Sequence, residues 1–273
     1  ADAFGTSAIT VNGGTFDLNA LTLANNVTIN TGGTLSGGTF AVSQLTATGG
    51  TVSASLTGAG ALTKTGSGSV TLSAANDFTG GTTINGGTLT FANAVDHLAD
   101  AGAITINTGG TLALGSLSET VGAVTLSGGT LSGTTGVLTA ASYDLQSGTA
   151  SAILAGAATA TKSTSGSVTL SGANTYNGPT TISAGTLRLG AANVIPDGSG
   201  KGNVAVVGIL DLNGFSETIN GLSGAGTIDN TAASTAATLT VSANSNFTGT
   251  LKNTGANLAL VKTGESDLVL SGS

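Results

Sequence analysis

The sequence predicts an all-β chain wound as a single parallel β-solenoid, with about 19 residues per rung and a five-rung super-repeat of about 98 residues. Three observations carry that prediction. A unit of Gly, then Thr or Ser, then an aliphatic residue recurs along the chain. Within each unit, polar and apolar residues alternate with period two. The heptapeptide SGSVTLS stands at residues 67–73 and returns unchanged at 165–171.

The small unit begins at Gly14 and recurs at Gly33, Gly50, Gly68, Gly87, Gly110, Gly129, Gly148, Gly166, Gly185, Gly208 and Gly226. Its steps are slightly uneven, and the same long step runs from Gly87 to Gly110 and again from Gly185 to Gly208. Lys64, Lys162 and Lys262 mark the larger period, as do Glu119 and Glu217. One continuous solenoid over 1–273 is expected, with super-units of roughly 1–87, 88–185 and 186–273. The last is irregular after about residue 230, through TAASTAATLTVSANSNF.

A unit this short and this rich in Thr, Val and Gly suits strands rather than helices. In Thr88-Leu89-Thr90-Phe91, Leu89 and Phe91 face one side and the threonines the other. Glycines before the strand provide the positive φ that a tight turn needs. Stacking rungs about 4.8 Å apart aligns Phe16, Leu35, Val52, Val70, Leu89, Leu112, Leu131, Val168, Leu187, Leu210 and Ile228 in one apolar column. No rung buries that row alone, so each depends on its neighbours. About 14 rungs would extend on the order of 65–70 Å.

Composition narrows the function. The 273 residues include 45 Gly and no Cys, with 39% hydrophobic, 7% charged and 3% aromatic. Such a chain can bury an aliphatic core, unlike a disordered segment, and it lacks the three-residue glycine period of collagen. A formal charge of −7 and a pI near 4.2 argue against nucleic acid or an anionic membrane as partner. No apolar run of about 18 residues points to a membrane span. No signal peptide opens the sequence, so for an exported protein the targeting segment is expected to lie outside it or to have been removed.

The stretch LTKTGSGSVTLSAANDFTGGTTINGGTLTF at 62–91 resembles the autotransporter-associated β-strand repeat of bacterial autotransporter passengers. A second copy, ATKSTSGSVTLSGANTYNGPTTISAGTLRLG, spans 160–190, and a third, LVKTGESDLVLSGS, breaks off at Ser273. The segment LDLNGFSETINGLSGAGTI at 210–228 is similar to those lying between such repeats in large surface proteins. The resemblance implies a right-handed parallel β-helix displayed outside a Gram-negative cell, and a repeat associated with efficient secretion. It also implies an outer-membrane translocator barrel as partner, lying outside this chain.

Candidate chemistry is sparse. His97, the one histidine, sits between Asp96 and Asp100 in VDHLADAG, whereas the equivalent VIPDGSGKG has no histidine. The expected reading is a long surface loop with solvated charges, not a triad. Asp17 and Asp211 are expected at outward positions about ten rungs apart, and Asp144, Asp229 and Asp267 fall singly. The three periodic lysines read as solvated charges. Phe78, Tyr176 and Phe247 read as internal aromatic fillers. Outward pairs such as Thr34/Ser36, Thr88/Thr90 and Ser167/Thr169 suggest strand propensity rather than an ice-binding array, because Asp17, Ala113, Arg188 and Asp211 interrupt them. No catalytic, cofactor-binding or metal site is expected. The leading expectation is an extracellular stalk of an autotransporter or large adhesin. The alternative is a self-assembling filament or matrix protein, the repeat that stops at Ser273 leaving an open edge.

Overall fold

The computed structural model describes Gly5 and residues 7–272, and the chain divides into two compact units, Ala1–Thr139 and Ala140–Ser273. Ser273, where the third repeat copy breaks off, lies outside the described residues. Among the described residues every regular element is a strand, and the strands build a parallel β-solenoid of about 14 turns. The turns vary in length, so that Leu45 reaches its partner Leu62 over a shorter stretch of chain than Thr180 needs to reach Val204.

In the first unit the strands fall into three columns. One runs through Ile9–Val11, Val27–Ile29, Gln44–Ala47, Ala61–Lys64, Thr82–Ile84 and Ile104–Asn107 to the start of Glu119–Gly133. Its inward Val27, Leu45, Leu62, Ile104 and Val124 are buried. Outward it aligns Thr10, Thr28, Thr46, Thr63, Thr83, Thr105 and Thr125, one above another. A β-branched residue half exposed on a pleated surface is what a strand favours, and here the preference repeats from rung to rung. The threonine ladder expected on the Gly-Thr-Leu strands is the less regular of the two, with Ala113 opposite Thr90.

The second column carries those Gly-Thr-Leu strands, and here the structure corrects the expected alignment. Phe16 pairs with Leu35 and Leu35 with Val52, as the pattern suggests. Val52 then faces Leu72, while Val70 faces Gly50. The same two-residue slip recurs one super-repeat later, where Val168 faces Gly148. A slip of two keeps every side chain on its own face, whereas a slip of one would turn the apolar row outward. Matching glycine to glycine hides it. From there Val70, Leu89, Leu112 and Leu131 stack in register, all 0–1% exposed.

The third column is apolar at first: Leu23, Phe40 and Leu56 stack and are buried. Beyond Leu56 its strands give way to longer turns, where the candidate site sits.

The second unit repeats the plan. Val168, Leu187, Leu210 and Ile228 stack inward. The segment after residue 230 forms parallel strands at Ala237–Val241, Ser245–Phe247, Thr250–Lys252, Leu258–Lys262 and Leu268–Leu270. Longer steps, such as that from Ser245 to its partner Leu268, are what blur the period there.

Gly87 shows why the turn needs glycine. Its φ is +63°, and a Cβ there would fall 2.2 Å from the Gly68 carbonyl oxygen. Gly14 has a similar φ of +66° with nothing within 4 Å. Gly87→Ala is therefore expected to cost more than about 1 kcal/mol and Gly14→Ala less, read as shifts in urea midpoint. Equal shifts would show that stacking against the rung before adds nothing to the backbone strain.

Candidate functional site

The site is built where the third column loses its strands. Asn76 is 5% exposed and lies one rung after Leu56. Its Oδ1 accepts the Leu56 peptide N–H at 2.8 Å, and its Nδ2 donates to the His97 carbonyl at 2.8 Å. One rung on, the Glu119 carboxylate accepts the peptide N–H groups of His97, at 3.2 and 3.3 Å, and of Leu98, at 3.3 Å. Buried peptide groups must be paired, and a turn too long to run as a strand cannot pair them with its neighbours. An amide and a carboxylate do it instead.

One super-repeat later the chain solves the same problem in the same way. Asn174 accepts from Leu154 N at 2.8 Å and donates to the Val194 carbonyl at 2.8 Å. Glu217 accepts from Val194 N at 3.0 Å and Ile195 N at 3.1 Å. The recurrence of Glu119 at Glu217 thus marks a repeated cap. Burial raises both carboxyls to about 7, against the pull of the N–H groups they accept.

His97 corrects the expectation of a solvated loop. Its side chain and that of Glu119 are fully buried, with Nδ1 2.7 Å from Glu119 Oε1. Its Nε2 lies 3.0 Å from Asn93 Oδ1, and its ring stacks on Phe91 at 4.6 Å between centroids. Burial holds its pKa below the usual histidine range. Asp96 and Asp100 remain exposed as expected, and burial and then Asp100 push the Asp96 carboxyl upward. They border an open depression lined also by Ala94, Val95 and Ser116–Thr120. The apolar cost of a solvent-facing ring, and the unpaired N–H groups of the long turn, together draw His97 inward.

The lysines are a second correction. Lys64 is 0% exposed and Lys162 1%. Lys64 Nζ donates to the carbonyls of Thr65 at 2.6 Å, Gly66 at 3.0 Å and Gly86 at 2.8 Å, tying its own turn to the glycine turn of the next rung. Lys162 donates to the Thr164 carbonyl and Lys262, half-buried, to that of Thr263. Lys64 pairs in register with Ala47 and Ile84, both inward. Its own strand, Ala61-Leu62-Thr63-Lys64, already puts it on the side of Leu62 by alternation. That signal was legible, and charge outweighed it.

Asp211 keeps its outward register position beside Arg188 but is buried, at 3% exposure, while Asp17 is exposed. Arg188, Asp211, Asp229 and Lys252 occupy one register position on successive rungs. Asp211 accepts from Thr231 N at 3.1 Å and Thr231 Oγ1 at 2.7 Å, and Arg188 Nε lies 3.5 Å away. Asp229 caps Thr254 likewise, at 3.0 and 2.6 Å. Burial alone would raise the Asp229 carboxyl, but the Thr254 and Asn230 hydrogen bonds hold it below the usual range. Phe78, Tyr176 and Phe247 fill the core as expected, each at 0–1% exposure, and the Tyr176 hydroxyl meets Thr180 Oγ1 at 2.6 Å.

These caps coincide with a known sequence family. Residues 62–91 and 161–189 match the model of the passenger-associated transport repeat. The chain carries passenger-associated transport repeats. The first repeat holds Lys64, Asn76, Phe78 and Gly87 and the second Lys162, Asn174, Tyr176 and Gly185, while the carboxylate caps Glu119 and Glu217 lie outside the matched residues. Over 111 residues, 39% of its length, the chain is 38% identical to the adhesin BmaC autotransporter of Brucella suis biovar 1 (strain 1330). It spans 3% of the length of that relative. No solved structure matches. The repeats and the relative make this an autotransporter passenger segment, extracellular and displayed at the surface of a Gram-negative bacterium.

Proposed function

We propose that this passenger segment is a non-catalytic structural stalk, which holds a recognition region of a longer adhesin away from the cell. The observation that carries the reading is the employment of the chain's chemistry. His97, Glu119, Lys64 and Lys162, its most reactive-looking side chains, are buried and spend their hydrogen bonds on backbone groups and on one another. Each rung pairs with the one before and the one after, so stiffness comes from the ladder without disulfides. The relative is named an adhesin and an autotransporter, which fits a stalk that presents a binding region elsewhere in the chain. A translocator barrel outside this segment is the proposed partner, and rung-by-rung folding outside the membrane would help draw the chain through.

The test joins the segment to an autotransporter barrel and measures surface exposure by protease shaving of intact cells. Replacing Leu89, Val168 and Leu187 by Asp is expected to abolish display, and replacing Asp96, His97 and Asp100 by Ala to leave polysaccharide turnover at the buffer level in both forms. Turnover that disappears with the second set of changes would assign an enzyme instead. A second reading is self-assembly into a filament or matrix. Regular fibres in electron micrographs of the purified segment support it, and dispersed particles support the stalk.

A further inference from the structure

We propose that the turn from Ala94 to Ala101 is a one-proton clasp: it closes when His97 and Glu119 hold a single proton between them, and it opens when they hold none or two. The geometry allows little else. Nε2 of His97 faces the Asn93 carbonyl oxygen at 3.0 Å, so that nitrogen carries its hydrogen outward. Nδ1 and Glu119 Oε1 then meet at 2.7 Å with room for one hydrogen. The other lone pairs of the carboxylate accept the N–H groups of His97 and Leu98.

With the shared proton the pair carries no net charge. Without it, a buried carboxylate faces Asp96 and Asp100, and both act on Glu119. Residues 92–104 contain no Lys or Arg, the strand Gly87–Phe91 carries no charge, and the strand Glu119–Gly133 contributes Glu119 alone. Asp77, one rung before, is exposed and adds a further negative charge on that side. No cation on these elements offsets the loss. With two protons, imidazolium faces a carboxylic acid whose hydroxyl finds only N–H donors around it. Loss of the proton sets the Nδ1 and Oε1 lone pairs against each other at 2.7 Å, and a second proton puts a hydroxyl among the N–H groups of the cap; either change loosens the turn and frees Leu98, now 2% exposed, from the core beside the depression at Ala94 and Val95. The equivalent turn near Val194 and Ile195 has Glu217 but no imidazole to share its proton, so the device is particular to the His97 turn.

The sign follows from the two states. The closed turn keeps one proton up to about 7, the raised value of Glu119. The open turn keeps the ordinary histidine proton to about 6.5 and gains a second near 4.5. Closure is therefore most favoured near pH 5.5. It is expected to weaken as pH rises past about 7 and, more steeply, by more than tenfold by pH 3.

Because His97 is the one histidine, imidazole nitrogen NMR reads it without assignment ambiguity. Amide exchange of residues 94–101, corrected for intrinsic rates, reads closure. The expected result is a bell-shaped protection profile and an imidazole that holds a shared Nδ1 proton near pH 6. In Glu119→Gln the amide still accepts from the turn and donates to Nδ1. The alkaline limb should vanish there and the acid limb remain, moved toward the ordinary histidine value. An imidazole titrating simply near 6.5, or protection flat from pH 3 to 8, overturns the proposal. So does a Glu119→Gln profile that keeps both limbs. If that variant does not fold, the two measurements on the unaltered chain still decide.

Discussion

Leu89→Ala is expected to destabilise the first unit by about 2–5 kcal/mol, the cost of emptying a buried leucine position that the surroundings fill only in part. Leu89 is 0% exposed and stands between Val70 and Leu112 in a column one residue wide. A cavity there takes contacts from the rung before and the rung after together. Contacts in a solenoid reach only adjacent rungs, so the loss should be local. Amide protection should fall for residues 68–72, 87–91 and 110–114 and hold around Leu187. Leu187→Ala, which shares no partner with Leu89, should add to it within about 0.5 kcal/mol. Urea titration gives the magnitude and hydrogen exchange the range. A uniform loss of protection along the chain would mean that the rungs do not act as nearest-neighbour units.

Lys64→Met is the second large effect, at about 2–3 kcal/mol, because a hydrogen bond to a charged group contributes about 1.5–3 kcal/mol. The substitution keeps the length and apolar stem but removes the ammonium from the carbonyls of Thr65, Gly66 and Gly86. Lys252→Met, on an exposed residue of the second unit, should stay within about 0.5 kcal/mol. A small amine-reactive reagent should label Lys252 in the native protein and spare Lys64 until denaturant is added. Rapid labelling of Lys64, or equal urea shifts for the two variants, would return it to the solvent. Burial also pulls the Lys64 pKa below the usual lysine range, so its ammonium should give up its proton earlier than that of a free lysine on alkaline titration.

The fold was legible because the solenoid writes its register into the chain. The Gly-Thr-aliphatic unit, its alternation and the echo of SGSVTLS lead directly to parallel stacking, and Val168, Leu187, Leu210 and Ile228 stack as the spacing says. The two-residue slip at Gly50 and Gly148 was not legible, since aligning glycines is the natural choice and a slip of two leaves the alternation intact. The site was legible only as spacing. The recurrence of Lys64 at Lys162 and of Glu119 at Glu217 was visible, but charge suggested solvated lysines and spacing alone gave the glutamates no role, whereas all four are buried. What decides burial is the partner, and Lys64 and Glu119 find theirs among peptide groups of a neighbouring rung, remote along the chain. Nothing in the sequence distinguishes such a peptide group from any other. Asn76 and Asn174 were missed for the same reason, although ANDF and ANTY stand at one phase of the repeat and a polar residue fixed beside a core aromatic was a usable sign.

The central claim is that adjacent rungs stack in parallel with Thr83 directly between Thr63 and Thr105. The chain has no cysteine, so paired cysteine substitutions test it on a clean background. Cα atoms of neighbouring rungs lie about 4.8 Å apart, within reach of a disulfide, and those two rungs apart lie about 9.6 Å apart, beyond it. Under mild oxidation the account predicts a bridge in Thr83→Cys/Thr105→Cys and none in Thr83→Cys/Thr125→Cys, read by mass spectrometry after digestion. A bridge in the second pair, or none in the first while the protein stays folded, would contradict it.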